Sequence, residues 1–111
     1  MTKKMLFELD DIPEAGGRAF RFKTPGGDKD AFVVRYIGEV RAYINSCPHT
    51  GVKLNWSDDQ FFDVDHKFIQ CSMHGALFEP LDGRCVWGPC LGESLQSVPF
   101  ELVDQQVIIY I

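Results

Sequence analysis

The stretch AFVVRYIGEVRAYIN, residues 31–45, decides the fold class. Apolar side chains recur at every second position on either side of its Gly38-Glu39 pair: Phe32, Val34 and Tyr36 before it, and Val40, Ala42 and Ile44 after it. This alternation is typical of β-strands, in which successive side chains point to opposite faces. A two-residue loop with glycine first favours a type II′ turn. The stretch therefore predicts a β-hairpin of strands Ala31–Ile37 and Val40–Asn45.

The same period continues towards both ends of the chain. A second hairpin is predicted near the C-terminal end, where Asp104-Gln105 separates two alternating runs: Val98, Phe100 and Leu102, then Val107, Ile109 and Ile111. Lys4–Leu9 and Arg18–Lys23 are weaker strand candidates, and the second leads into a predicted loop, TPGGDKD, at 24–30. No window carries a helical stripe of apolar residues. The chain is therefore predicted to be all-β and antiparallel.

The segment from Cys47 to about Leu95 differs from both ends. It is interrupted by many prolines and glycines, among them Pro48, Gly51, Pro80, Gly83, Gly88, Pro89 and Gly92. Its strand-like pieces are short, at Phe61–Val64 and Phe68–Cys71. Such breakers indicate loops, which in a small β domain usually carry function. We therefore predict one domain over residues 1–111, with a base at 1–44 and 96–111 and an inserted, loop-rich subdomain at about 45–95.

Length, charge and cysteine content exclude several classes of function. At 111 residues the chain has the size of one domain, and its formal net charge of −5, without a basic run, argues against nucleic-acid binding. No stretch approaches the roughly 20 apolar residues that span a bilayer, so we expect a cytoplasmic protein without membrane contact. Because cytosolic thiols stay reduced, four cysteines point to metal or redox chemistry rather than to disulfides.

Two short loops each pair a cysteine with a histidine: Cys47-x-His49 and Cys71-x-x-His74, with a glycine close behind each pair. Thiolate and imidazole are ligands of iron and zinc. The residues leave three interpretations open. The first is that the cysteines are ordinary buried thiols and the histidines lie in turns. The second is a structural zinc site, although zinc fingers usually place both cysteines in one pair. The third is a 2Fe-2S cluster with the two cysteines on one iron and the two histidines on the other.

Both loops resemble the Rieske family, in which two histidines replace two cysteines on one iron of a 2Fe-2S cluster. The similar motifs are CPHTG at 47–51, CSMHG at 71–75, FDV at 62–64, GALFEP at 75–80 and GRCVWGPC at 83–90. The resemblance implies one cluster per chain, no catalytic residue, and the cofactor- and metal-binding residues Cys47, His49, Cys71 and His74. It also implies the Rieske (ISP-like) fold, an antiparallel β base with an inserted cluster-binding subdomain, and a covering loop at Gly88-Pro89.

Four positions depart from the respiratory Rieske proteins. Where those proteins carry an extra cysteine in each ligand loop, joined by a disulfide, this chain has Val52 and Met73. Where they carry a serine and a tyrosine that donate hydrogen bonds to cluster sulfurs, it has Ala76 and Phe78. Fewer donors stabilise the reduced cluster less, so we expect a potential toward the low end of the roughly −150 to +300 mV Rieske range. The resemblance is to soluble, low-potential Rieske-type ferredoxins.

The resemblance implies a one-electron carrier and not an enzyme. It would pass electrons from a flavin-containing reductase to a terminal oxygenase or a similar acceptor. Two alternatives stay open: a small Rieske-like subunit of an oxidoreductase complex of the nitrite reductase kind, and a zinc-binding structural module. Cys85 and Cys90 are predicted to be reduced thiols packed near the covering loop, His66 a surface residue, and Trp87 part of the core or of loop packing.

Overall fold

The computed structural model describes residues 4–48, 51, 53–55, 59–72 and 75–110. Within them lie β1 Lys4–Glu8, a 3₁₀ turn Leu9–Asp11, β2 Gly16–Thr24, β3 Gly27–Tyr36, β4 Glu39–Ile44, β5 Ile69–Gln70, β6 Leu77–Phe78, β7 Cys85–Trp87, β8 Phe100–Val103 and β9 Gln106–Tyr110. The strands pair antiparallel in three sheets, with the orders β1-β9-β8, β2-β3-β4 and β5-β6-β7. The all-β prediction is confirmed. No helix among the described residues has the length and apolar character needed to cross a membrane.

The sheet β2-β3-β4 separates two hydrophobic cores. Along β3 the side chains from Ala31 to Val34 are all buried, and they alternate between the two faces. Phe32 and Val34 enter one core, whereas Ala31 and Val33 enter the other. This alternation follows from the two-residue period of a strand. One strand therefore supports both cores at once.

We call the two cores the base core and the site core. The base core contains Ile12, Phe20, Ala31, Val33, Val40, Ala42, Val98, Val107 and Ile109. The site core contains Phe32, Val34, Tyr43, Cys47, Leu54, Phe61, Ile69, Cys71, Ala76, Phe78, Cys85, Cys90 and Leu95. The base core is thus shared by the two long-stranded sheets, and the site core joins the central sheet to the segment between β4 and β8.

The elements near both ends largely follow the predicted strands. Asp104-Gln105 connects β8 and β9 as predicted, and the residues on either side of this turn pair with each other. β1 agrees with the strand predicted at 4–9. The loop predicted at 24–30 is wrong in its second half, because only Pro25-Gly26 separates β2 from β3 and residues 27–30 belong to β3. Ile111, predicted in the last strand, lies outside the described residues.

The middle of the chain contains three short strands rather than the two predicted pieces, and neither β6 nor β7 is among the predicted pieces. The piece at 68–71 provides β5, and the piece at 61–64 contributes a bridge between Phe62 and Ile69. The short sheet β5-β6-β7 lies within the range 45–95. The division into a base at 1–44 and 96–111 and an inserted subdomain stays a prediction.

The turn between β3 and β4 differs from the prediction. Tyr36 pairs with Glu39, so the two loop residues are Ile37 and Gly38. Their φ angles are 52° and 73°, which is type I′ geometry rather than type II′. Positive φ is unfavourable for a β-branched residue. The Glu14 carboxylate offsets this cost by accepting hydrogen bonds from the N–H groups of Ile37 (2.7 Å) and Gly38 (2.9 Å).

Candidate metal centre

The first predicted ligand loop leaves the central sheet just after β4. Cys47 is buried, with 2% of its surface exposed. Its carbonyl oxygen accepts a hydrogen bond from the N–H of Gly51 at 2.7 Å, which closes a five-residue turn. Gly51 has a φ of 78°, a left-handed conformation that glycine adopts without a steric cost. The turn therefore explains why the motif ends in glycine.

The second predicted ligand loop repeats this turn between β5 and β6. Cys71 is 1% exposed, and its carbonyl oxygen accepts a hydrogen bond from the N–H of Gly75 at 3.0 Å. Gly75 has a φ of 71°. The N–H of Cys71 also donates to the carbonyl oxygen of Ala76 at 2.9 Å, so this loop is the tip of the β5–β6 hairpin. Both loops thus begin with a buried cysteine and close on a glycine four residues later.

A backbone hydrogen bond connects the two loops, and a buried amide joins the two ends of the first loop. The N–H of Ser72 donates to the carbonyl oxygen of Leu54 at 2.8 Å. Asn45, only 6% exposed, accepts from the N–H of Leu54 through Oδ1 at 2.8 Å and donates from Nδ2 to Asn55 Oδ1 at 2.8 Å. Sequence reasoning placed Asn45 at the end of a strand and missed this role. An amide two residues before Cys47 was the usable signal.

The loop predicted to cover the cluster packs against the second ligand loop. A Cβ on Gly88 would lie 2.8 Å from Ala76 Cα, so only glycine permits this approach. Trp87 lies beside the same loop, with its Cζ3 3.8 Å from the position of a Cβ on Gly75. Trp87 is 61% exposed, so the prediction of a core position is wrong, whereas its place beside this loop agrees with the predicted loop packing. The covering role of Gly88 and Pro89 stays a prediction.

Cys85 and Cys90 form a buried thiol pair in the site core. They are 2% and 1% exposed, and the Cys90 thiol donates to the Cys85 sulfur at 3.1 Å. The Cys85 thiol donates in turn to the carbonyl oxygen of Trp87 at 3.3 Å. Burial raises the pKa of Cys90 to about 12, and the sulfurs of Cys85 and Cys47 raise it through hydrogen bonding and negative charge. None of the four cysteines forms a disulfide, and Cys85 and Cys90 are reduced thiols as predicted.

The cysteine half of the predicted ligand set fits an iron–sulfur site. Cys47 and Cys71 lie in the same core, and thiolates are the ligands by which proteins hold such clusters. His49 and His74 lie outside the described residues; in the sequence each stands between the cysteine and the glycine of its turn. Within the part of the chain that the structure describes, no three His, Cys, Asp or Glu side chains are grouped to hold a metal ion. The histidine half stays a prediction.

The third histidine, His66, is exposed, which confirms its prediction as a surface residue. Its Nδ1 lies 3.3 Å from the carbonyl oxygen of Ala15. Together with Cys71 and Gly75 it borders a surface cleft of about 480 Å³. The cleft opens the second ligand loop to the surface of the molecule.

Comparison with known proteins agrees with this site. Residues 3–108 match the family model described as Rieske [2Fe-2S] domain. The chain therefore belongs to the Rieske family, and its cofactor is one 2Fe-2S cluster. The two other interpretations of the cysteine–histidine loops, ordinary core thiols and a zinc site, are thereby set aside.

Relatives and solved structures show where else this domain occurs. The chain is 32% identical over 90 residues to the biphenyl 2,3-dioxygenase subunit alpha of Rhodococcus jostii (strain RHA1), covering 81% of this chain and 16% of that subunit. The chain thus spans about one sixth of that relative. The fold resembles the ferredoxin of carbazole 1,9a-dioxygenase from Nocardioides aromaticivorans IC177, with a TM-score of 0.69, 19% identity, and 98% and 96% of the two chains covered. A complex of reduced oxygenase and oxidized ferredoxin in carbazole 1,9a-dioxygenase gives a TM-score of 0.67 at 20% identity, covering 94% of this chain and 91% of the matched chain.

Proposed function

We propose that the chain is a one-electron carrier that uses its Rieske cluster as the redox group. Cys47 and Cys71 would hold one iron, and His49 and His74 the other, so that each loop supplies one ligand to each iron. The observation that carries the proposal is the pair of matching turns, each starting with a buried cysteine and closed by a glycine with positive φ. Two equivalent turns joined by a hydrogen bond suit one shared cofactor.

The described residues would give the cysteine side of the cluster a dry and fixed environment. Cys47 and Cys71 share their core with Leu54 and Phe78, both fully buried, so that side would be apolar. The buried amide of Asn45 would hold the two ends of the first loop together, and the hydrogen bond from Ser72 to Leu54 would connect that loop to the second. The cluster supplies the one-electron chemistry when it is bound. The protein would contribute ligands on preformed loops that need not rearrange between redox states.

The environment also supports a potential toward the low end of the Rieske range. Ala76 and Phe78 are both fully buried in the site core and carry no hydroxyl that could donate to a cluster sulfur. Hydrogen bonds to the sulfurs are one of the main determinants of potential in these centres. We therefore expect a value nearer to the lower limit of roughly −150 mV than to the upper limit of roughly +300 mV.

The partners proposed are a flavin-containing reductase as the donor and a terminal oxygenase or a similar acceptor, in the cytoplasm. The acceptor is supported by the solved complex of similar fold, which pairs an oxygenase with a ferredoxin. A net charge of −5 would favour partners with basic docking patches. The proposal that a reductase is the donor is supported only by the family resemblance. The chain itself would turn over no substrate.

A second candidate is a Rieske unit within a larger oxidoreductase. The observation that favours it is the identity of 32% to a dioxygenase alpha subunit of which the chain spans only 16%. Such a unit would pass its electron inside a stable complex. Co-purification with a large catalytic subunit would support this candidate. A chain that purifies alone and carries electrons between a separate reductase and oxygenase would support the carrier.

The ligand assignment is tested by replacing His49 and His74 separately with alanine. We expect each variant to lose the Rieske EPR signal of the reduced protein, because one iron loses a ligand. His66→Ala is the matched control, since His66 is exposed and lies outside both loops. It should keep the signal and the iron and sulfide content of the wild type. A His49→Ala or His74→Ala protein with an unchanged signal would show that the assignment is wrong.

A further inference from the structure

The strand β1 forms one edge of the sheet β1-β9-β8, and no strand lies along its outer side among the described residues. The outer edges of β2 and β4 are covered instead. Residues 96–98 run along β4 through two backbone hydrogen bonds, and the Asp59 carboxylate accepts from the N–H of Ala19 on β2. An uncovered edge strand offers unpaired N–H and C=O groups to another chain. The outer edge of β1 is therefore a place where a further strand can add.

One hydrogen bond shows which backbone groups of β1 point to this open edge. The N–H of Leu9 donates to the carbonyl oxygen of Gln105 at 2.8 Å, in the register that pairs β1 with β9. In an antiparallel ladder, hydrogen-bonded pairs alternate with pairs that are not hydrogen-bonded. The N–H and C=O groups of Met5 and Phe7 therefore face β9, as those of Leu9 do. The N–H and C=O groups of Leu6 face the open edge.

The sequence of β1, KMLFE at 4–8, is self-complementary when two copies run antiparallel. With Leu6 opposite Leu6 of a second copy, Lys4 stands opposite Glu8, and Met5 stands opposite Phe7. Apolar pairs, pairs of opposite charge and pairs of a thioether with an aromatic ring all stabilise an antiparallel ladder. In this register the backbone groups that face the open edge, at positions 4, 6 and 8, meet as hydrogen-bonded pairs.

The strand also leaves apolar surface for such a contact. Leu6 is 60% exposed, on the face of the sheet opposite to the base core. Met5 and Phe7 pack against the base core and are only half-buried, so part of their surface is left to be covered. The charged residues of the strand stand at its two ends, and it contains no proline or glycine that would interrupt pairing.

We propose that two copies of this chain associate through the outer edges of their β1 strands and form one six-stranded antiparallel sheet of order β8-β9-β1-β1-β9-β8. The two-fold axis passes between the two Leu6 residues. The contact is isologous, so it closes after two copies and does not propagate. A second copy is the partner because this register needs no sequence other than that of β1. The contact uses residues of the base sheet and none of the site core, so we expect each copy to keep its cluster.

Sedimentation velocity of the cluster-loaded protein at increasing concentrations tests the proposal. The wild type should shift from the monomer to a species of twice its mass. Leu6→Glu should raise the dissociation constant of the dimer by about tenfold or more, because it removes the central apolar pair and places two like charges opposite each other. Val64→Glu is the matched control, because Val64 is an exposed apolar residue outside the strands. A wild type that stays monomeric, or an equal effect of both substitutions, would overturn the proposal.

A charge exchange tests the register. Glu8→Lys places a lysine opposite Lys4 and should weaken the dimer, and the double variant Lys4→Glu/Glu8→Lys should restore it. Glu8→Lys also makes the net charge of −5 less negative, which by itself would favour association. A weaker dimer in this variant therefore identifies the local pair. Unchanged or stronger association of Glu8→Lys would contradict this register.

Amide exchange in β1 identifies the surface through which the dimer forms. The N–H of Leu6 should be protected at concentrations at which the dimer forms and should exchange faster on dilution. The N–H of Phe7 faces β9 and should be protected at both concentrations. A dimer in which Leu6 exchanges as fast as in the monomer would form through another surface, and the proposal would be wrong. The Rieske signal reports on the proposed function separately, and we expect it to be the same in all these variants.

Discussion

The two faces of the sheet β2-β3-β4 are stabilised in different ways. On the base-core face, strands of up to ten residues pair over their whole length and contribute buried apolar side chains such as Ala31 and Val33. On the site-core face, the sheet supports loops and the short strands β5, β6 and β7, each of two or three residues. The same strand, β3, contributes Phe32 and Val34 to one face and Ala31 and Val33 to the other.

This difference indicates where stability and function reside. In the base core the stability comes from many similar apolar contacts, so an apolar side chain there can be replaced by another of similar volume. In the site region single contacts determine position: the Ser72–Leu54 hydrogen bond, the buried Asn45 and the close approach of Gly88 to Ala76. We therefore expect substitutions on the site face to affect the cluster more than substitutions of similar size on the base face. Four substitutions test this comparison.

The largest effect is expected for Phe32→Ala, which removes a large side chain from the site core. Phe32 is fully buried and stacks on Phe61, with ring centroids 4.3 Å apart. Loss of a buried phenylalanine should lower the free energy of unfolding by about 3–5 kcal/mol and reduce the fraction of protein that retains the cluster. Denaturant unfolding followed by circular dichroism, together with iron analysis, measures both quantities. Phe22→Ala, at a half-buried base position, is the control, and an equal loss there would remove the distinction between the faces.

The second effect is expected for Gly88→Ala. The new Cβ would lie 2.8 Å from Ala76 Cα, and Gly88 has a φ of 111°. Collision and backbone strain together should cost about 2–4 kcal/mol, or displace the covering loop from the second ligand loop. Gly92→Ala is the matched control, because its φ is 93° and nothing lies within 4 Å of its Cβ position. Cluster loss during dilution should be faster in Gly88→Ala alone. Equal rates would mean that strain, and not the contact with Ala76, is decisive.

The Rieske family could be predicted because its ligand motif has cysteine, histidine and glycine at fixed spacings, and the assignment of the four ligands stays a prediction. Asn45 and the Cys85–Cys90 pair could not be assigned in the same way. Their contacts depend on which loops meet in space, and the hydrogen bonds of Asn45 reach Leu54 and Asn55 across the first ligand loop. The period of two likewise predicted the strands but not that both faces of β3 are covered, because burial of the second face depends on the distant loop segment.

The third effect, on Asn45→Ala, tests that tertiary contact. The substitution would leave the buried N–H of Leu54 without its side-chain acceptor, which should cost about 1–3 kcal/mol. Because Asn45 adjoins the first ligand loop, the cluster should also be lost at a lower denaturant concentration than that at which the base unfolds. Absorbance of the cluster and circular dichroism of the strands report the two events. Asn55→Ala is the control, because Asn45 Oδ1 still accepts from the N–H of Leu54. In this variant, loss of the cluster and unfolding of the base should lie closer together in denaturant concentration.

The hairpin turn shows why the register at Gly38 was predicted one residue too late. Local preference favours glycine at the first loop position of a type II′ turn, whereas the chain places Ile37 there with a φ of 52°. The deciding group is the Glu14 carboxylate, 23 residues before Ile37 in the sequence, which accepts from both loop N–H groups. A contact at that separation has no signature in the alternation of residues 31–45. It lies far in sequence from the ligand loops.

The smallest effect is therefore expected for Glu14→Gln. The hydrogen bond from Gly38 is the main influence that lowers the pKa of Glu14 below its ordinary value of 4.5, with further lowering from Ile37 and Arg35. A lowered folded-state pKa means that the ionised carboxylate stabilises the turn above pH 4.5, and that this contribution is lost as the pH falls through the folded-state pKa. The substitution should cost no more than about 1 kcal/mol near neutral pH, since Glu14 is exposed. Amide exchange of Ile37 and Gly38 should be faster in Glu14→Gln at pH 6, and the difference should shrink towards acid. A difference that is independent of pH, or a changed cluster potential in this variant, would contradict the separation between the base and the site.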